Sequence, residues 1–148
     1  RDMRFSAREQ ESARIAMDWA GVSELAVRTF GTLSSGERRR FLIARALAHK
    51  PQVLVMDEPS TALDFGGSQA LTSCLRRTMR EGCTVILVTH HPEEIPPEIE
   101  RVMLLHDGAI LADGNKRSVL TAKNLQQLYA VPLRVSWHEG WCRVRAAE

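Results

Sequence analysis

No apolar run in the 148-residue sequence approaches the roughly 20 residues that a membrane-spanning helix needs, so we expect any membrane association to come through a partner. The three cysteines, Cys74, Cys83 and Cys142, show no C-x-x-C spacing, which favours a reducing compartment and argues against structural zinc. The net charge of +2 is too small to indicate nucleic acid as a partner, and we expect none. What remains is a composition typical of a globular domain with its own core.

The most informative segment is an apolar run that ends in two adjacent carboxylates, Asp57 and Glu58. The run, Val53–Met56, is typical of a strand that is buried on both faces of a parallel sheet. In open α/β sheets, ligands bind at the carboxyl ends of strands, where one acid can hold a metal ion and its neighbour can polarise a water molecule. Such a pair suits the Mg²⁺-dependent hydrolysis of a nucleoside triphosphate. Solvated charge at the end of a strand is the alternative.

A second segment, L-S-S-G-E at residues 33–37, combines a capping box with features of a phosphate site. Ser34 and Glu37 have the spacing that caps a helix, and this pair stabilises any helix, so a plain cap is one interpretation. The other interpretation uses the backbone N–H groups of the helix start, which attract phosphate, and Gly36, which lets a ligand approach the backbone. The arginines at positions 38–40 lie near the positive end of the helix dipole, a placement that indicates an anion nearby.

Together with two further segments, these motifs resemble the nucleotide-binding domain of the ATP-binding cassette family. Residues 33–37 resemble the family's signature motif, and V-L-V-M-D-E at residues 53–58 resembles its Walker B strand. S-T-A-L-D at residues 60–64 resembles the D-loop, and T-H at residues 89–90 resembles the switch histidine. The order and spacing of the four motifs match, and four motifs in register are far more specific than one.

The resemblance implies a role for each motif residue. Asp57 would hold Mg²⁺, Glu58 would be the general base for the attacking water, and His90 would donate to the γ-phosphate. Asp64 has two open roles, as a contact across a dimer interface or as the cap of the following helix. The signature residues, which would bind ATP held by another subunit, are Ser34, Ser35, Gly36 and Glu37. The family's usual residues at the third and fifth signature positions are Gly and Gln, so Ser35 and Glu37 depart from its pattern.

The family's phosphate-binding loop, G-x-x-x-x-G-K-[ST], occurs nowhere in these 148 residues. The resemblance therefore implies the carboxyl-terminal portion of the domain. We expect an α/β, P-loop NTPase-like fold with a mostly parallel sheet flanked by helices, incomplete and with a remnant of the helical subdomain. Residues 1–32 would be this remnant. Residues 33–148 would be the remainder of the ATPase core, from the signature motif to a C-terminal hairpin.

Apolar periodicity, caps and turn residues predict the individual elements. Ser6 and Glu9 have the spacing of a capping box, Asp107-Gly108 predicts a two-residue hairpin turn, and Leu125 is expected to be buried on its helix. Helices are expected at about residues 7–20, 23–28, 34–48, 67–80 and 121–130. Strands are expected at residues 53–56, 84–88, 101–106, 109–112, 131–137 and 141–144. The first two strands and the helix between them would form a βαβ unit.

The implied function is that of the ATP-binding and ATP-hydrolysing subunit of a transporter, with ATP and Mg²⁺ as cofactors. The implied partners are an identical or paired ATPase subunit, a transmembrane permease subunit and a segment that carries the Walker A phosphate loop. The subunit would be cytoplasmic and peripheral to the membrane. Residues 107–114 and 118–121 resemble importers of metal chelates or oxyanions. Two alternatives stay open: a non-catalytic truncated module that needs a partner chain, and a chromosome-maintenance or repair ATPase, against which the lack of sustained heptads argues.

Overall fold

The computed structural model describes residues 5–147. The chain divides into two compact units, Arg1–Val88 and Thr89–Glu148, each with a hydrophobic core of its own. The division expected after residue 32 concerns the subdomains of a complete cassette and stays a prediction. The first four residues of that expected segment lie outside the described residues.

The elements of the two units are as follows. The first unit contains α1 (Ala7–Trp19), α2 (Ser35–Ala48), β1 (Val53–Asp57), α3 (Phe65–Arg80) and β2 (Thr84–Val88). The second contains β3 (Arg101–His106), β4 (Ala109–Asn115), α4 (Lys116–Val119), α5 (Ala122–Tyr129), β5 (Leu133–His138) and β6 (Trp141–Ala146). Short 3₁₀ helices lie at Ser23–Leu25, Phe30–Thr32 and Pro92–Glu94.

The predicted α/β class is confirmed. The described strands form three separate two-stranded sheets rather than one mostly parallel sheet, and β1 and β2 make up the parallel one. The pairs β3–β4 and β5–β6 are antiparallel hairpins. No helix among the described residues is both long and apolar enough to cross a membrane.

Side-chain caps fix where the helices of the first unit begin. The Ser6 hydroxyl accepts from the Glu9 amide at 3.3 Å, and the Glu9 carboxylate accepts from the Ser6 amide at 2.8 Å, so the predicted capping box is confirmed. Gly21, with φ of 64°, follows α1 and ends it. The helix predicted at residues 23–28 is wrong in length. It is a single 3₁₀ turn, Ser23–Leu25, because its cap position offers no side-chain hydrogen bond.

Local turn chemistry shapes the second unit. The Asp107-Gly108 turn has positive φ at both residues, 48° and 74°, which suits the twist of a two-residue hairpin and confirms the prediction. Helix α4 was not predicted. The Asn115 side chain accepts from the Arg117 amide at 3.0 Å and starts this single turn directly after β4. Leu125 of α5 is fully buried in the core of this unit, as its helical spacing predicts.

One face of the β1–β2 pair is apolar and uncovered. Leu54 and Met56 point into the core of the first unit, so their neighbours along β1 point the other way. The parallel register places residues of β2 on that same outward face. The four apolar residues of this bare face are Val53, Val55, Ile86 and Val88, with exposed fractions of 52%, 64%, 49% and 50%. The expectation that the strand is buried on both faces is therefore wrong within residues 5–147, because nothing described there packs on the second face.

We expect the 148-residue chain to self-associate through the bare face, because exposed apolar surface and unpaired strand edges favour pairing with another chain. Val55→Thr keeps the β-branched shape but removes apolar area. The substitution should weaken association by about 1 kcal/mol for each copy that carries it. The Kd of self-association should therefore rise by at least about fivefold. Val27→Thr, at a residue that is 95% exposed and outside the bare face, is the matched control. Sedimentation velocity across a concentration series measures the effect. A monomer at every concentration, with one sharp melting transition, would contradict the expectation.

Candidate functional site

The start of α2 is held by the second predicted capping box. The Ser34 hydroxyl accepts from the Glu37 amide at 3.2 Å, and the Glu37 carboxylate accepts from the Ser34 amide at 2.7 Å. The hydrogen bonds that Ser34 gives to the Glu37 carboxylate, first from its backbone and then from its side chain, hold the pKa of that carboxyl below its ordinary value. The amides of Ser35 and Gly36 lie between them in the first turn, where no carbonyl of the helix itself can reach. They remain the natural donors to an anion at this helix start.

Position 36 requires glycine for a packing reason, in addition to the predicted approach of a ligand to the backbone. A Cβ added there would lie 3.2 Å from Leu63 Cδ2 and 3.6 Å from the Ala62 carbonyl oxygen. The start of α2 therefore packs tightly against the loop that follows β1. The glycine allows that approach, whatever ligand binds beside it.

Asp57 and Glu58 occupy different environments at the end of β1. Asp57 is the last strand residue, lies opposite Val88 in the register and is exposed. Glu58 is half-buried, and its amide donates to the Val88 carbonyl at 2.9 Å. Its φ of 45° is left-handed, a conformation that costs a non-glycine residue about 1–2 kcal/mol. Backbone strain of this kind is concentrated at functional sites, where the surrounding structure maintains it.

Asp64 caps α3. Its Oδ1 atom accepts from the Gly67 amide at 2.7 Å, and this cap starts α3 at Phe65 rather than at the predicted Gly67. Of the two roles left open for Asp64, capping is therefore present. The D-loop role across a dimer interface stays a prediction.

His90 belongs to the second unit and is exposed. Its carbonyl accepts from the Tyr129 hydroxyl at 2.8 Å, which ties the backbone at His90 to the end of α5. Its ring lies 3.8 Å from the ring of His91. The other predicted site residues all lie in the first unit.

The three arginines near the start of α2 contact backbone carbonyls, which explains their placement without an anion. Arg38 donates to Leu33 at 2.8 Å, and Arg40 donates to Gly21 at 3.2 Å. Arg39 donates to three carbonyls of the turn after β1, those of Asp57, Glu58 and Thr61. Sequence reasoning missed this role for Arg39, since the only signal was the unfavourable position of the cluster relative to the helix dipole.

The donor set is compatible with Mg²⁺ but not with a metal cage. Among the described residues, no group of three or more His, Cys, Asp or Glu could hold a metal ion. Mg²⁺ often binds through one or two carboxylates together with water and substrate phosphates. The exposed carboxylate of Asp57 at the strand end fits that mode.

Comparison with known proteins places these motifs in context. A family model described as "ABC transporter" matches residues 2–61. The chain is 35% identical over 136 residues to an uncharacterized ABC transporter ATP-binding protein, YlmA, of Bacillus subtilis, covering 90% of this chain and 52% of that protein. It is 39% identical over 123 residues to a hemin import ATP-binding protein, HmuV, of Nocardia farcinica, covering 83% and 43%. The chain thus spans about half the length of the curated relatives it matches.

The fold is also similar to solved structures. An inward-facing ABC transporter of the metal-chelate type superposes with a TM-score of 0.80 and 27% identity, covering 97% of this chain and 58% of the other.

The Glu37 carboxylate should make the stability of the first unit pH-dependent. Because its pKa is lower in the folded chain, its contribution is present above the ordinary value of 4.5 and is lost as the pH falls through the lowered folded pKa. At pH 7, Glu37→Gln should therefore have a lower free energy of unfolding than the wild type. This difference in the free energy of unfolding should become smaller below about pH 4.5. Glu9→Gln, in the matching box of α1, should behave alike because its pKa is lowered in the same way. Urea denaturation from pH 7 to pH 3 tests this, and a constant difference would contradict it.

Proposed function

Because the chain belongs to the ATP-binding cassette family, we propose that it contributes the signature, Walker B and switch parts of a cassette that hydrolyses ATP to ADP and phosphate, in a transporter that moves a solute across a membrane. One observation carries the proposal. The helix start that offers amides to phosphate packs directly, through Gly36 and Leu63, on the loop that follows the two carboxylates of β1. The groups that we propose to bind phosphate and to activate water thus belong to one packed unit.

The proposed roles are those that the resemblance to the family implies for each group. Asp57 holds Mg²⁺, which supplies neutralisation of phosphate charge. Glu58 accepts the proton of the attacking water at its carboxylate, and its fixed backbone orients that carboxylate. The amides of Ser35 and Gly36, with the Ser34 hydroxyl, bind the γ-phosphate of ATP presented by a paired cassette subunit. His90 donates a ring N–H to a phosphate oxygen.

The bare face supports a proposal about what completes the site. The chain contains no glycine-rich phosphate loop and spans about half of its relatives. An apolar face of four residues on a parallel strand pair suits a covering helix, because helices pack on both faces of parallel sheets. We propose that a cassette segment carrying the phosphate loop covers this face. Without that segment the chain would act as a non-catalytic module, which keeps the alternative of a truncated, partner-dependent protein open.

The transported solute is proposed from the relatives. A related subunit is described as serving hemin import, and a similar structure as a metal-chelate transporter. Both support a metal chelate as the solute class, and related subunits named for molybdenum and molybdate import support the alternative of an oxyanion. A transmembrane permease would select it, and the ATPase subunit would bind that permease from the cytoplasm.

Supplying the phosphate loop should switch on hydrolysis that depends on Glu58. We expect negligible ATPase activity from the 148-residue chain, and activity once it is fused to a cassette segment with the loop, because that loop stabilises the transferred phosphate charge. In the fusion, Glu58→Gln should lower kcat by about 10²- to 10⁴-fold and leave ATP binding unchanged, since the amide keeps the shape but cannot accept the proton.

The matched control is Glu24→Gln, at an exposed glutamate of the 3₁₀ turn Ser23–Leu25. It should leave kcat unchanged. Phosphate release measures turnover, and calorimetry measures binding. Robust hydrolysis by the unfused chain, or wild-type turnover by Glu58→Gln, would refute the proposed roles.

A further inference from the structure

We propose that Arg39 is a positioning residue that holds the backbone of the Glu58 turn, and so aims the carboxylate that activates water. The proposal rests on the proposed function, in which Glu58 is the general base. Arg39 lies in the second turn of α2 and is half-buried. Its side chain donates hydrogen bonds to main-chain carbonyls, so the role we assign to it is to hold the backbone rather than to contact the reacting atoms.

A single guanidinium spans the whole turn. Its Nη2 atom donates to the carbonyls of Asp57, at 3.0 Å, and Glu58, and its Nη1 atom donates to that of Thr61 at 3.2 Å. A planar group with several donors in a fixed fork can reach carbonyls that point to one side, and a lysine ammonium on its flexible stem cannot reproduce that geometry. The guanidinium of Arg39 therefore fits the arrangement of these three carbonyl groups.

The turn needs such support because its backbone is constrained at several points. Glu58 and Ala62 both have left-handed φ, at 45° and 65°, without being glycine. Pro59 lies between them and has no N–H to give to a hydrogen bond. The turn's own bonds are short-range, from Thr61 to Glu58 at 3.2 Å and from Leu63 to Ser60 at 3.0 Å. Arg39 adds hydrogen bonds between this turn and α2 to the packing of Gly36 against Leu63.

The same residue connects the two halves of the proposed site. Arg39 comes two residues after Glu37 of the capping box, and its guanidinium donates to the Glu58 carbonyl. A displacement of the start of α2 would therefore move the carbonyl of Glu58 with it. Arg38 and Arg40 cannot replace it, because they donate to Leu33 and Gly21.

Hydrogen exchange in the 148-residue chain tests the positioning role without requiring activity. We expect Arg39→Ala to speed exchange of the Thr61 and Leu63 amides by about tenfold or more. Arg39→Lys should recover little of the protection. Arg40→Ala, which removes a neighbouring arginine with a different acceptor, should leave both amides unchanged. The amide of Leu75 in α3 reports global opening and should exchange at the wild-type rate in every variant. Unchanged exchange at Thr61 and Leu63 in Arg39→Ala would overturn the proposal.

A kinetic measurement in the fusion that carries the phosphate loop tests the catalytic consequence. Arg39→Ala should lower kcat by about 10- to 100-fold, the scale of a misplaced catalytic group, with KM for ATP changed less than about twofold. Faster exchange combined with wild-type kcat would overturn the link to Glu58. A fusion that is inactive even with Arg39 in place would instead refute the proposed function, and the exchange result alone would then decide whether Arg39 holds the turn.

Discussion

The parallel pairing of β1 with β2 is the constraint on which the rest of the first unit depends. Side chains alternate along a strand, so a register that buries Leu54 and Met56 necessarily turns Val53 and Val55 outward. Helices α1, α2 and α3 contribute to the core on one side only. The chain therefore covers one face of a strand pair whose composition suits burial on both faces. The bare face and the proposed need for a further cassette segment follow from this one arrangement.

The candidate site depends on the same pairing. The register continues past Asp57, because the Glu58 amide still donates to the Val88 carbonyl. The chain then turns through left-handed backbone, and its carbonyls meet Arg39 of α2. Strand register, turn and helix are thus linked by hydrogen bonds to the backbone of the proposed catalytic residue. Rigid support of this kind is what a water-activating carboxylate requires, since small displacements are costly to catalysis.

The sequence predicted what local chemistry determines. The boxes at Ser6 and Ser34 and the Asp107-Gly108 hairpin depend on residues no more than three positions apart, and each was predicted correctly. The acceptors of Arg39 lie 18 to 22 positions away, so no local pattern could reveal them. The left-handed backbone of Glu58 was missed because glutamate carries no signal for it. The apolar run at Val53–Met56 predicts burial, whichever polypeptide provides it, so the run alone could not show which face this chain covers. The roles of Asp57, Glu58, Asp64 and His90 in ATP hydrolysis stay predictions.

Methyl NMR with a soluble paramagnetic agent tests whether a segment that carries the phosphate loop covers the bare face. The agent relaxes the methyl groups that face solvent, so spectra before and after the segment is added can be compared. We expect the methyl groups of Val53, Val55, Ile86 and Val88 to be strongly relaxed in the chain alone, at a concentration low enough to keep it monomeric, and to become protected once the segment binds. Leu54, which is already buried, should remain protected throughout. Persistent relaxation of the bare-face methyl groups in a complex that forms elsewhere on the chain would contradict the account.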